Sequence, residues 1–110
     1  MPHYLLQWSY DGKSVADLVK NPQDRAAVVR TLVDKLGGKL QSFYFAFGDY
    51  DGAAIAEFPD NVTAAALSMV VTSAGSFRSF KTTVLISPDD SVKAMRKAAE
   101  SASAYRPPGK

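Results

Sequence analysis

The stretch FYFAFGDYDGAAIAEF, residues 43–58, decides the fold of this 110-residue chain. It joins an aromatic run, a turn at Gly48–Gly52 and a second apolar run that ends before Pro59. Glycine and aspartate adopt the backbone conformations that a tight reversal needs. The stretch therefore predicts a β-hairpin with strands over residues 39–47 and 53–58.

The segments around the hairpin predict two further strands and the helices between them. Apolar periodicity, caps and breakers locate these elements. Before the hairpin, they predict a strand over 4–10, a short helix over 14–20 and a helix from Asn21-Pro22 to Gly37-Gly38. After the hairpin, they predict a helix over 62–74 that follows Asp60 or Asn61, a strand over 77–86 and a helix from Ser87 to about residue 104. Strand, helix, strand, strand, helix, strand and a C-terminal helix predict an α+β fold. We expect the ferredoxin-like sandwich, an antiparallel sheet with helices on one face.

Length and composition indicate one globular domain, residues 1–104, with a mobile tail over 105–110 in which two prolines prevent helix. The formal net charge is only +2 and the basic residues are scattered, which disfavours nucleic-acid binding. The absence of cysteine excludes a disulfide, a thiolate zinc site and a thiol nucleophile. No apolar stretch reaches the ~18 residues that cross a bilayer, and no signal sequence precedes the first strand. We therefore expect a cytoplasmic protein with no membrane partner.

Large apolar side chains are expected on both faces of the sheet. Strict alternation in the second strand sets Phe43 and Phe45 against Leu40. In the fourth strand it sets Phe77 against Phe80. Because helices cover one face only, an apolar second face would be an association surface. We expect self-association through this face, with two sheets packed face to face. The competing explanation is a monomer whose C-terminal helix covers it.

The chain resembles the GYD-domain family from Tyr4 to about Asp90. Five segments carry the resemblance: YLLQWSYDGKS at 4–14, NPQDR at 21–25, GGKLQSFYFAFGDYD at 37–51, AEFPD at 56–60 and SFRSFKT at 76–82. The Gly-Tyr-Asp tripeptide that names the family stands here as Gly48-Asp49-Tyr50-Asp51, with one additional Asp. The resemblance implies a fold of the dimeric α+β barrel type. It implies no mechanism, because the family is mostly uncharacterised.

Seven residues are candidates for binding a ligand: His3, Trp8, Tyr44, Tyr50, Asp51, Glu57 and Arg78. His3 is the only histidine and would be either a general acid or base or a solvated side chain. Aromatic side chains suit a pocket, but they suit a core or an interface equally. The two hairpin residues would be ligand contacts or turn formers. Arg78 would hold a ligand carboxylate or pair with Glu57 or a hairpin Asp. With one His and no Cys, neither a metal nor another cofactor is expected.

Two functions from different classes stay open. The first is a non-catalytic homo-oligomeric module that binds a small apolar or aromatic molecule or acts as an accessory subunit. The second is a cofactor-independent oxygenase or isomerase with a cavity in each subunit, by analogy with related barrel architectures. A buried cavity that holds two or more of the polar candidates would favour the enzyme. Candidates that lie in solvent or in salt bridges would count against it.

Overall fold

A computed structural model describes residues 1–109 of the chain. Its elements are β1 (His3–Tyr10), α1 (Gly12–Lys20), α2 (Arg25–Lys35), β2 (Lys39–Phe45), β3 (Gly52–Glu57), α3 (Asn61–Ser73), β4 (Phe77–Leu85) and α4 (Pro88–Ser101), followed by a 3-10 turn at Ala102–Ala104. The strands form one antiparallel sheet in the order β2-β3-β1-β4. This is the ferredoxin-like α+β arrangement that the order of elements predicts.

Side-chain caps explain where the helices begin. Asp11, Asp24 and Asp60 each accept a hydrogen bond of 2.8–2.9 Å from a backbone N–H in the first turn of α1, α2 and α3, respectively. The predicted start of α2 at Asn21-Pro22 is wrong, because Asp24 supplies the cap three residues later. Ser87 caps α4 as predicted, with a proline in the first turn.

The core lies between one face of the sheet and the helices α1, α2 and α3. Alternate residues of β1 and β3 point toward these helices, as a period of two predicts. Its buried apolar members are Tyr4, Leu6, Trp8, Tyr10, Val33, Leu40, Ala54, Ala56, Phe58, Ala64 and Leu67. The face that the helices cover is therefore strongly apolar.

Two β-bulges correct the predicted faces of β2 and β4. The register of β2 against β3 shifts just after Leu40, so Phe43 lies on the same face as Leu40. The register of β1 against β4 shifts at the end of β1, so Phe77 and Phe80 share the helix-covered face. The predicted opposition within each pair is wrong, because a bulge inserts one residue and reverses the alternation beyond it.

The sheet face without helices, called the open face below, is less apolar than predicted. The bulges move phenylalanines from it to the helix side. The strand registers place a mixture of apolar and polar groups on it: His3, Leu5, Gln7 and Ser9 from β1, Ala53, Ile55 and Glu57 from β3, Ser79, Lys81, Thr83 and Leu85 from β4, and Lys39, Ser42 and Tyr44 from β2. An apolar centre thus remains, with polar groups around it.

Helix α4 projects from the body of the protein. None of its residues is buried, and it packs mainly on the 3-10 turn that follows it. The radius of gyration is 17.8 Å, against about 13 Å for a compact chain of this length. The alternative in which the C-terminal helix covers the open face is therefore wrong. The predicted tail over 105–110 includes Lys110, which lies outside the described residues. Between residues 1 and 109, no helix combines the length and the apolar character that crossing a bilayer requires.

Candidate functional site

A cavity of about 400 Å³, called the main cavity below, lies between the sheet and helices α1, α2 and α3. Strand β1 supplies one wall through Leu6, Trp8 and Tyr10, and β4 continues it with Phe77 and Phe80. The helices supply the opposite wall with aliphatic side chains: Leu18, Val28, Val29, Leu32, Leu67, Val70 and Val71. The volume lies within the range of about 300–1,000 Å³ that is typical of small-molecule pockets.

Helix α1 packs weakly against the sheet beside the main cavity. No residue of α1 is buried, and Leu18 is its one side chain that packs against the core. Val15 and Val19 of the same helix are exposed to solvent. Helices α1 and α2, which connect β1 to β2, therefore cover this part of the sheet without filling the space between them and the sheet.

Trp8 lies at the centre of the aromatic wall. Its ring stacks on Phe80 with centroids 6.3 Å apart and tilts against Phe43 at 5.2 Å. The indole covers Gly52 so closely that a Cβ there would lie 2.7 Å from Nε1 and nearer still to two ring carbons. Gly52, the first residue of β3, thus leaves the space in which the Trp8 ring packs, in addition to ending the turn. Among residues 1–109, the Trp8 Nε1–H is the one buried side-chain polar group without a hydrogen-bond partner.

Polar residues surround the mouth of the main cavity. Arg25, the first residue of α2, is half-buried, and its Nη1 donates a 3.0 Å hydrogen bond to Oε1 of Gln23. Asp17 of α1 lines the same mouth and is exposed. Neither Arg25 nor Asp17 takes part in an ion pair within the described part of the chain. Sequence reasoning missed both residues, because an Arg and an Asp on amphipathic helices show no pattern that distinguishes them from solvated charges.

Of the seven predicted binding residues, only Trp8 lines the main cavity. His3 and Glu57 meet on the open face, where Gln41 links them. The amide Nε2 of Gln41 lies 3.0 Å from His3 Nε2 and donates a 2.9 Å hydrogen bond to Glu57 Oε2. His3 Nε2 itself lies 3.7 Å from Glu57 Oε1. The two hydrogens of the Gln41 amide can serve both partners when His3 Nε2 is unprotonated.

The environment of Glu57 keeps it ionised. The hydrogen bond from Gln41 is the main reason that its pKa lies below the ordinary value of 4.5, and the positive charge of Lys39 lowers this pKa further. Burial opposes these effects only in part. Glu57 is therefore a hydrogen-bond acceptor at neutral pH rather than a proton donor.

The hairpin residues have structural contacts. Asp51 Oδ2 accepts a 2.8 Å hydrogen bond from the backbone N–H of Tyr10, and the N–H of Asp51 donates to the Trp8 carbonyl at 2.8 Å. These two bonds tie the hairpin to the C-terminal end of β1. The ring of Tyr50 lies 5.9 Å from Lys81 Nζ, and Tyr44 is exposed on the open face. Ligand binding by these three hairpin and strand residues stays a prediction.

The predicted salt bridge of Arg78 is wrong. Arg78 is exposed and pairs with no carboxylate among residues 1–109. His3 of β1 pairs with Glu57 of β3 on one side and with Leu85, the last residue of β4, on the other. Seven residues of extended chain separate Arg78 from Leu85, which is roughly 23 Å. The two charges therefore lie at opposite ends of the sheet.

The family model GYD domain matches residues 4–95 of the chain. The chain belongs to the GYD-domain family. The match runs from β1 into α4 and so includes every strand and helix that encloses the main cavity. A search of curated proteins finds no match. Family membership thus agrees with the α+β fold of this GYD domain and supplies no reaction.

A second, smaller cleft of about 290 Å³ lies between α3 and β4 of the GYD domain. The Tyr4 hydroxyl at its edge donates a 2.6 Å hydrogen bond to Asn61 Oδ1. Nowhere in residues 1–109 do three or more His, Asp or Glu side chains gather as they would around a metal ion. The main cavity is the larger of the two and the better enclosed by secondary structure.

Proposed function

We propose that this GYD-domain protein binds a small, partly apolar molecule in the main cavity and acts as a homo-oligomeric binding or accessory module. The main cavity itself supports the proposal. A concave apolar surface with a few polar groups at its mouth is the usual form of a small-molecule site. The aromatic wall of Trp8, Phe77 and Phe80 offers flat apolar surface to a ring or a short chain.

The indole N–H of Trp8 is buried without a hydrogen-bond partner, and its edge of the ring lies against Gly52 of β3. Because no β3 residue lines the main cavity, this donor does not define the ligand. The proposed ligand is characterised by the apolar walls of the cavity and by the polar groups at its mouth.

The placement of the polar candidates favours binding over catalysis. None of His3, Tyr44, Tyr50, Asp51, Glu57 or Arg78 lines the main cavity. The imidazole and carboxylate of the His3–Glu57 pair lie on the open face of the sheet, on the other side from the main cavity. An oxygenase or isomerase in the cavity would need a proton acceptor from another residue. We therefore retain the binding module as the proposed function.

Binding is tested by titrating the protein with small aromatic and aliphatic compounds while its NMR spectrum is recorded. Trp8 is the only tryptophan, so its indole N–H gives one resolved cross-peak beside the main cavity. We expect this peak and the methyl groups of Leu67 and Val71 to shift together and to saturate. Shifts confined to the open face or to α4 would contradict the proposal.

A cavity-filling variant supplies the matched control. The larger ring in Val71→Phe occupies part of the main cavity, and we expect it to abolish ligand binding while it leaves the free energy of unfolding within about 1 kcal/mol of the wild type. Val62→Phe makes the same change on an exposed site of the same helix and should bind ligand normally. If Val71→Phe destabilises the fold by about 1–3 kcal/mol, as overpacking of a full core does, the site is not a cavity.

Self-association through the open face completes the proposed function. Leu5 and Ile55 pair directly across β1 and β3 at the centre of the sheet, and Leu85 and Tyr44 lie farther out on the same face. A second open face packed against this one would remove these side chains from water. In the single chain, nothing among residues 1–109 covers Tyr44, which is 69% exposed.

Light scattering after size exclusion tests the self-association. We expect the wild type to elute with at least twice the mass of one chain, and Ile55→Lys to elute as a monomer because the interface would bury a lysine on each chain. Val19→Lys places the same charge on an exposed site of α1 and should stay associated. A wild-type monomer at micromolar concentration would remove this part of the proposal.

A further inference from the structure

We propose that the main cavity selects molecules with a carboxylate, and that Arg25 binds this carboxylate at the cavity mouth. The inference rests on the proposed function, because it names the chemical class of the molecule that the same cavity holds. Its ligand would be a small amphipathic acid whose apolar part lies against the aromatic wall and whose carboxylate stays near the mouth.

The arrangement of Arg25 supports this selectivity. The side chain lines the main cavity and is half-buried, so its charge is less screened than that of a solvated arginine. One of its five N–H donors is used by the exposed hydrogen bond to Gln23. The remaining donors have no carboxylate partner among residues 1–109. A planar guanidinium of this kind matches the two oxygens of a carboxylate.

Asp17 is the competing charge at the same mouth. Its carboxylate would attract a cationic head group and repel an anionic one. Asp17 is exposed, however, whereas Arg25 is half-buried, so solvent weakens the field of Asp17 more strongly. Asp24, next to Arg25 in sequence, caps α2 through the N–H of Ala26 at 2.9 Å and does not line the cavity. The balance at the mouth therefore favours an anion.

Three probes that differ only in their head group test the inference. Phenylacetate, phenylethanol and phenylethylamine share one aromatic ring and carry an acid, an alcohol and an amine, respectively. Affinities come from NMR titrations followed at the Trp8 indole N–H. We expect phenylacetate to bind about tenfold more tightly than phenylethanol, the effect of one charge-assisted hydrogen-bonded pair. Phenylethylamine should bind most weakly.

Variants of two arginines on one helix assign the effect. Arg25→Gln should remove the advantage of the acid over the alcohol and leave the affinity for the alcohol unchanged. Arg25→Lys, which keeps the charge and loses the fork, should retain part of it. Arg30→Gln is the matched control, because Arg30 is exposed on α2 and does not line the cavity. An unchanged amide spectrum away from the mouth verifies that each variant is folded.

The outcomes separate this inference from the function on which it rests. Equal affinity for acid and alcohol, or a preference for the amine, overturns the selectivity for carboxylates and leaves binding in the main cavity intact. The same holds if Arg25→Gln and Arg30→Gln weaken phenylacetate equally. If none of the three probes shifts the Trp8 peak at millimolar concentration, both the inference and the proposed function fail.

Discussion

Replacing Gly52 by alanine should force the single tryptophan out of its position. A Cβ at Gly52 would lie 2.7 Å from Trp8 Nε1 and closer to two ring carbons, distances that real side chains do not adopt. Phe43 and Phe80 hold the indole from two sides, at 5.2 and 6.3 Å between centroids, so it can move only by displacing them. Overpacking of this kind costs about 1–3 kcal/mol.

The lower entropy of the unfolded alanine chain offsets about 0.4–1 kcal/mol of that cost. The net expectation for Gly52→Ala is a loss of about 1–2 kcal/mol, or a fall in Tm of about 5–15 °C. Urea unfolding gives the free energy, and the Trp8 emission spectrum reports the displaced ring. Gly12→Ala is the control, because Gly12 lies in the first turn of α1 with nothing within 4 Å of the added Cβ. A Gly52→Ala variant as stable as the wild type, with unchanged emission, would show that the indole does not lie over this residue.

Three further predictions follow from other contacts. Asp51→Ala removes the charged acceptor of the Tyr10 N–H and should lower the free energy of unfolding, measured in urea, by about 1–3 kcal/mol. The side chain of Asp49 makes no hydrogen bond among residues 1–109, so Asp49→Ala should change this free energy by less than about 0.5 kcal/mol. Equal effects of the two variants would contradict the hydrogen bond assigned to Asp51. Because the folded state lowers the pKa of Glu57, its contribution to stability is complete above pH 4.5 and is lost as the pH falls below that value. Glu57→Gln should therefore flatten the acid side of a plot of urea midpoint against pH. An unchanged slope would argue against the hydrogen bond between Gln41 and Glu57. Removal of residues 87–110 should change the free energy of unfolding by less than about 1 kcal/mol, because α4 buries no residue. The measurement is made at a concentration where the oligomeric state is unchanged. A larger loss would mean that α4 packs on the domain.

Local chemistry predicts most of the fold. The aromatic and β-branched runs, the glycines after α2 and α3 and the caps at Asp60 and Ser87 each act within a few residues, so they can be recognised without tertiary information. The start of α2 could not be located in this way, because Asn21 and Asp24 are both good caps and only the chain path selects between them.

The open face and the site depend on information that the sequence does not display. A bulge adds one residue to one strand and leaves composition and hydropathy unchanged, so the shared face of Phe77 and Phe80 is invisible to a period of two. The main cavity depends on how the three helices pack over the sheet, which is a property of the assembled layers. Trp8 was predicted because an aromatic side chain with a polar tip suits a ligand pocket, although the same property suits a core equally. Arg25 was missed because an arginine on an amphipathic helix shows no pattern that distinguishes it from a solvated charge.

A crystal structure of the protein grown with phenylacetate tests the central claim most directly. We predict electron density for the ring between Trp8 and Leu67, inside the space enclosed by β1, β4 and the three helices, with its carboxylate next to Arg25. A structure in which α1 packs down on the sheet, so that side chains fill this space and no ring density is present, would contradict the claim that the protein holds a binding cavity.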